Sequence, residues 1–236
     1  MCNLYTMKLS RDEVRGLLRH YKLLGRDWAE VISGQNTPTD IYPRHAAPVA
    51  TRESGRLAIG TMRWGMPGPT FPPKPGEKPK RQGFITNIRN SESRHWLPWL
   101  QAAEVTVGKD RNRGGRCLVP AAAFAEPDRT TRQPVVNRWF ARADGRPFFF
   151  AGVWREWTGD VGTIKAPNVG RHRLFAFLTT VPNGVVTPIH DKAMPVMLMT
   201  AEDVACWLNG TLEEALKLQK PQPDDAIVVV ERKRET

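Results

Sequence analysis

The segment from Trp139 to Trp154 constrains the fold of this chain more than any other. Trp139–Arg142 and Phe148–Trp154 are aromatic-rich runs, and Asp144-Gly145 lies between them. Aromatic runs favour extended backbone, and Asp-Gly supplies the positive φ of a tight turn, so a β-hairpin is predicted here. Further strands are predicted at 56–64, 117–120, 173–181, 193–199 and 227–230, with a short extended stretch at 84–90. Ser10–Glu13 reads as a capping box opening a helix from 11 to about 22, with Val14, Leu17, Leu18 and Tyr21 on its apolar face. Ser91 and Ser93 offer helix starts before Trp96, Leu97, Trp99 and Leu100, where Pro98 limits the helix. Thr200–Asp203 and Thr211–Glu214 cap two more helices, through Trp207 and about Leu218. Residues 34–48 read as loop, and 111–116 as a Gly/Arg turn. Residues 66–83 form a loop rich in Pro, Gly and Lys whose prolines oppose ladder formation. The tail 231–236 is expected to be disordered. No repeat or break in composition splits the chain. The expectation is one α+β domain over 1–236, with a curved, mainly antiparallel sheet and flanking helices.

The chain has 236 residues and is 40% hydrophobic, enough for an ordinary core. It has no apolar run of about 18 residues, so no membrane helix is expected, and no signal peptide is evident. Three cysteines, Cys2, Cys117 and Cys206, show no metal-ligand spacing. Reduced thiols, a cytoplasmic, nucleoid-associated location and no metal or cofactor are therefore expected. Cys117, in an apolar run, reads as a small buried hydrophobe. The net charge of +11 favours a polyanionic partner, nucleic acid first, though a basic enzyme has the same balance. Lys74, Lys78, Lys80 and Arg81 are either a solvated insertion or a flap along a phosphate backbone, with Trp64 and Phe71 as bases' stacking partners.

Cys2 carries the most distinctive chemistry. Removal of Met1 would leave a free α-amine and a thiol on adjacent carbons. Their reference pKa values, roughly 8 and 8.5, lie close to neutrality. Together they trap an aldehyde: the amine forms an imine and the thiol closes a thiazolidine ring. Alone, the thiol is a nucleophile for amide hydrolysis. Three more residues are candidates. Asn87 sits on an extended segment beside Arg89. Glu126 ends the small-residue run 121–125, where burial would raise its pKa. His190 lies in the polar trio 190–192 between apolar positions. Each also has a local structural reading: a turn cap, a solvated loop acid and a hydrogen-bonding imidazole.

Met1-Cys2-Asn3, Trp64-Gly65, Thr86–Arg89, Arg116–Pro120 with Phe124–Glu126, Ala143–Phe148 and Ile189–Pro195 occur in an order that resembles the SOS-response-associated peptidase (SRAP) family. The resemblance implies a barrel-like antiparallel sheet with a basic groove. It also implies that the N-terminal Cys crosslinks the ring-opened aldehyde of an abasic site in single-stranded DNA, protecting it during the DNA damage response. By that resemblance Cys2 is the nucleophile, Asn87 orients substrate, Glu126 assists ring opening and proton transfer, and His190 is the acid/base. Arg89 and Lys192 would hold phosphates, Thr179 would lie near the same site, and Pro48 would be a loop proline lining the DNA path. Phe71 is the nearest match to the aromatic wedge that follows Trp64-Gly65. A monomer acting on abasic single-stranded DNA is expected. A thiol peptidase that removes its own Met1, and a non-catalytic basic DNA-binding module, are the competing readings.

Overall fold

The structure is a computed structural model. It describes residues 2–7, 17, 19–21, 39–54, 56–70, 72–73, 75–76, 81–107, 112–128, 130 and 136–231. In chain order the strands are β1 (Leu4–Thr6), β2 (Asp40–Ile41), β3 (Ala46–Glu53), β4 (Arg56–Trp64), β5 (Met66–Pro67), β6 (Phe84–Ile85), β7 (Asn87–Ile88), β8 (Val105–Val107), β9 (Asn112–Ala121), β10 (Ala123–Asp128), β11 (Val136–Arg142), β12 (Phe148–Asp160), β13 (Val169–Thr180), β14 (Met194–Pro195), β15 (Met197–Leu198) and β16 (Ile227–Val230). The helices are α1 (Leu97–Leu100), α2 (Ala201–Asn209) and α3 (Leu212–Leu216).

Five strands close into a barrel. β13 pairs with β4, β4 with β3, β3 with β9, β9 with β12, and β12 returns to β13. Only the β13–β4 joint in this ring is parallel, with Leu174 opposite Arg63. Gly114–Ala121 of β9, Phe148–Trp154 of β12 and Leu174–Thr180 of β13 are buried on both faces, which is why Cys117–Val119, Phe148–Trp154 and Leu174–Leu178 read as near-continuous apolar runs. Along β12, Phe148, Phe150 and Trp154 point into the barrel with Trp64, Phe175 and Phe177. Phe149, Ala151 and Val153 point outward, beneath Trp99 and the α2 residue Trp207. This is the two-residue alternation of a strand. A second sheet, in the order β16-β11-β10-β1-β2, contributes Cys2, Tyr5, Phe124 and Phe140 to the interior cluster.

The Asp144-Gly145 turn is present, with Gly145 at φ 70°, but its two flanking runs do not form a hairpin. β11 pairs with β10 and β16, whereas β12 pairs with β9, β13 and β15. Both ladder sides of each strand are taken by other strands, so the turn passes the chain from one sheet to the other. The buried Arg142 braces this turn. Its Nε donates to Asp144 Oδ1 at 2.8 Å, and its Nη1 donates to the Met199 carbonyl at 2.7 Å. The Arg142 hydrogen bond holds the Asp144 carboxyl at about 2, below the ordinary value. An unfolded Asp titrates near about 3.9, so this stabilisation is complete above about pH 4 and is lost as pH falls through about 2. Asp144→Asn is expected to lower stability at neutral pH and to flatten its fall over that window in urea titrations at stepped pH.

Other local expectations divide similarly. Thr200 and Thr211 form the predicted capping boxes, with N3 partners Asp203 and Glu214. Thr200→Ala is expected to cost about 1 kcal/mol in urea denaturation. The 193–199 stretch is strand on either side of Val196, whose own backbone bonds Leu178 and Ala151. Neither Ser91 nor Ser93 caps α1. Its N-cap is Trp96, and Pro98 fits the first turn, where a missing N–H costs nothing. The supposed loop 34–48 already contains β2 and the start of β3. The supposed turn at 111–116 is strand from Asn112 onward. The 66–83 loop is closed at its base by a β5–β6 ladder pairing Met66 with Ile85 and Pro67 with Phe84. Leu17, Arg19 and His20 are helical, and Leu17 and Tyr21 pack in the outer core. Ser10–Glu13, Val14, Leu18, Phe71, Lys74, Lys78, Lys80, Arg111 and 232–236 lie outside the described residues. No helix among the described residues is long and apolar enough to cross a membrane.

Candidate functional site

Four segments, far apart in the chain, deliver Cys2, Asn87, Glu126 and His190. Cys2 lies two residues before the start of β1, which pairs antiparallel with β10 so that Leu4 faces Ala125. That register brings the Cys2 thiol to the β10 backbone, with Sγ 3.9 Å from the Ala125 carbonyl and 3.4 Å from that of Leu4. β10 also carries Glu126, whose side chain is fully buried. His190 follows a turn closed by its own N–H donating to the Val186 carbonyl at 2.8 Å. Its Nε2 lies 3.6 Å from Glu126 Oε2, and both side chains are 0% exposed.

Asn87 comes from β7, which pairs parallel with β13, Asn87 opposite Phe177. Its Nδ2 donates to the Cys2 carbonyl at 2.8 Å and to Thr86 Oγ1 at 2.9 Å. With both donors committed, Oδ1 has no hydrogen-bond partner among the described residues, although it is buried. That acceptor belongs to the same amide that grips the Cys2 carbonyl. Thr179 lies two residues beyond Phe177 on β13, therefore on the same sheet face as Asn87. Its hydroxyl is likewise buried without a partner among the described residues.

The Cys2 thiol is fully buried, and its pKa is raised well above the ordinary thiol value. Burial is the largest cause, followed by the charge of Glu126. Backbone hydrogen bonds and the chain's terminal amine act in the opposite direction. The resting thiol is therefore protonated near neutrality and must lose its proton as it attacks. Tyr5, also buried, contacts the rings of Trp64, Phe150 and Phe177 edge-on.

Arg89 and Lys192 are exposed beside this centre, and the Arg89 guanidinium donates to the Lys192 carbonyl. Trp64 and Pro48, also anticipated as nucleic-acid contacts, are buried. Trp64 is 0% exposed. It stacks on Phe177 with ring centres 5.1 Å apart and donates through Nε1 to the Thr86 carbonyl at 3.0 Å. Its faces are occupied, so it is a core residue with no surface for a base. Pro48 is a buried strand residue of β3 opposite Thr61, not a loop proline on a DNA path. The β3–β9 ladder begins only at Ala50, so the missing N–H of Pro48 interrupts nothing there. Thr179 is 0% exposed, on the sheet face that carries Asn87.

Sequence reading missed Gln219 altogether. It follows α3 and bonds the carbonyls of Arg89 and Thr179, both at 2.9 Å. A separation of 130 residues from Arg89 leaves no local signal for such a contact.

Comparisons with known proteins agree with this architecture. A crystal structure of a protein from Bordetella bronchiseptica is similar at TM-score 0.66 and 22% identity, covering 98% of this chain and 100% of the other. One from Bacteroides thetaiotaomicron is similar at TM-score 0.65 and 17% identity, covering 98% and 92%. No protein of curated function matches the sequence. The family described as SOS response associated peptidase (SRAP) matches residues 1–234, and the chain belongs to that family.

Proposed function

We propose that this protein, once Met1 is removed, captures the aldehyde of an abasic site in single-stranded DNA as a covalent thiazolidine on Cys2. The observation that carries the reading is the convergence on Cys2: the Asn87 amide on its carbonyl at 2.8 Å, and the buried Glu126–His190 pair whose carboxylate acts on its thiol.

An abasic sugar is mostly a closed hemiacetal. Ring opening breaks the C1′–O4′ bond, with a proton delivered to the ring oxygen and one taken from the C1′ hydroxyl. Glu126 and His190 divide those transfers. The Cys2 amine then adds to the aldehyde and one water leaves, giving an imine. The thiol adds across the imine, sulfur to carbon and proton to nitrogen, and the ring closes. Because the thiol is protonated at rest, Glu126 is the base that relays this proton. Ring closure is intramolecular, where effective molarities reach about 10⁵ M. Asn87 positions Cys2 without titrating. Closure also removes the iminium that would otherwise promote β-elimination and strand cleavage. Arg89 and Lys192 are the basic rim that receives flanking phosphates.

The test is incubation with an abasic single-stranded oligonucleotide, read as a denaturant-resistant shifted band. No shifted band would refute the reading. Glu126→Gln is expected to slow adduct formation about 100-fold in single-turnover assays. The same substitution removes the neighbouring negative charge, so the Cys2 thiol pKa should fall. Ultraviolet thiolate absorbance of Glu126→Gln, in a background lacking Cys117 and Cys206, checks that direction.

The family description favours a second reading, a thiol peptidase in which Cys2 attacks an amide and His190 serves as base. Acetylating the α-amine separates the two, because it abolishes thiazolidine formation and leaves thiol chemistry available.

A further inference from the structure

We infer that Gln219 is a positioning residue for the Cys2 centre, holding the Asn87 arm in register from outside the barrel. This rests on the covalent-capture reading above. The arm is short: β7 is two residues long, and its ladder on β13 consists of Asn87 opposite Phe177 and Ile88 opposite Leu178. A two-residue ladder cannot by itself define where a side chain stands to the tolerance that chemistry requires.

On its N-terminal side the arm is held at the Thr86 carbonyl, which accepts from Phe177 N–H at 3.3 Å and Trp64 Nε1 at 3.0 Å; Gln219 restrains its C-terminal side. Its Nε2 donates to the carbonyl of Arg89, two residues past Asn87, and to that of Thr179, two residues past Phe177, both at 2.9 Å. One carboxamide thus extends the β7–β13 pairing beyond its last ladder bond. The orientation of that carboxamide is settled by its partners, because two carbonyls can only accept. Its Oε1 receives the Ser91 hydroxyl at 2.6 Å, and the Gln219 carbonyl receives the Thr180 hydroxyl at 3.3 Å. The strap lines an open cleft of about 260 Å³ together with Arg89 and Thr179. Water entering that cleft would satisfy both carbonyls if the carboxamide were lost. Removing the strap therefore loosens Asn87 and leaves the fold intact. Misplacement of a reacting group by about 1 Å costs up to about 10²-fold in rate, so the consequence appears in the chemical step.

Gln219→Met keeps the length of the side chain and removes its donors. At saturating abasic single-stranded DNA, its single-turnover rate of adduct formation is expected to fall about 10-fold, with affinity for undamaged DNA of the same length within about 2-fold of the parent. Ser91→Ala, which frees the carboxamide to rotate, should give a smaller loss in the same direction. A saturated rate equal to the parent's in Gln219→Met, or a loss confined to DNA affinity or to the thermal midpoint, would overturn the assignment. If Gln219→Met fails to fold, by near-ultraviolet circular dichroism, Ser91→Ala and Gln219→Glu decide it by the same criterion. Failure of the parent protein itself to form adduct would instead sink the capture reading, and this inference with it.

Discussion

Cys2→Ala is expected to abolish the denaturant-resistant adduct with abasic single-stranded DNA, a loss of at least about 10³-fold in yield at fixed time. Alanine at the terminus keeps the amine and still forms an imine, but nothing closes on it. Borohydride should therefore trap the Cys2→Ala imine, while the untreated reaction shows none surviving denaturation. Cys2→Ser is expected to behave like Cys2→Ala, because a hydroxyl is a weaker nucleophile and the oxygen ring it would form opens readily. The fold should tolerate all three side chains, since Cys2 is small and its main ties are through its carbonyl and the following strand. A Cys2→Ala protein with undiminished durable adduct would place the chemistry on another residue.

The second large effect concerns stability. Gly115→Ala is expected to cost about 4 kcal/mol, combining backbone strain with steric overlap. Gly115 has φ 146°, a conformation that L side chains rarely adopt, and a Cβ there would run into the Ala103 carbonyl. Its neighbour Gly114 is equally enclosed, between the Trp99 ring and the Trp154 carbonyl. This is where β9 bends against the segment following α1, and Arg116 donates to the Ala102 carbonyl at 2.8 Å. Gly115 therefore lets one barrel strand serve both a ladder and a loop. Urea denaturation of Gly115→Ala measures the cost, and a value within about 1 kcal/mol of the parent would contradict this view of the bend.

Much of this fold was legible before the structure, and the exceptions have physical causes. The capping boxes at Thr200 and Thr211 were readable because a cap is a four-residue event. The Phe148–Trp154 run was readable as strand, but its partners were not. Local turn chemistry at Asp144-Gly145 suggests pairing across the turn, whereas both ladder edges of β12 are taken by β9 and β13. Those partners lie outside the turn and leave no mark on its residues. Arg113 and Arg116 looked like turn residues because two glycines lie between them. Those glycines are there for close approach within a strand. Trp64 looked like a stacking surface because an aromatic beside a glycine reads the same whether buried or not. Its burial depends on Phe175 and Phe177, more than 100 residues away.

The candidate site shows the same division. Cys2 could be singled out from chemistry alone, because only an N-terminal cysteine offers both functional groups. Asn87, Glu126 and His190 carry no shared spacing; each had only a local reading until resemblance to a family joined them. Cys2 comes to the strand of Glu126 because β1 pairs with β10, and Asn87 is placed by the pairing of β7 with β13. Gln219 had neither spacing nor resemblance to mark it. It acts through backbone carbonyls, which every residue has.

The most direct test of the central claim is the intact mass of the crosslinked species formed with an abasic oligonucleotide. The account predicts the chain without Met1, plus the oligonucleotide, minus one water, with fragmentation placing the bond on Cys2. An adduct that retains Met1, or one whose bond maps to a lysine side chain, would contradict it.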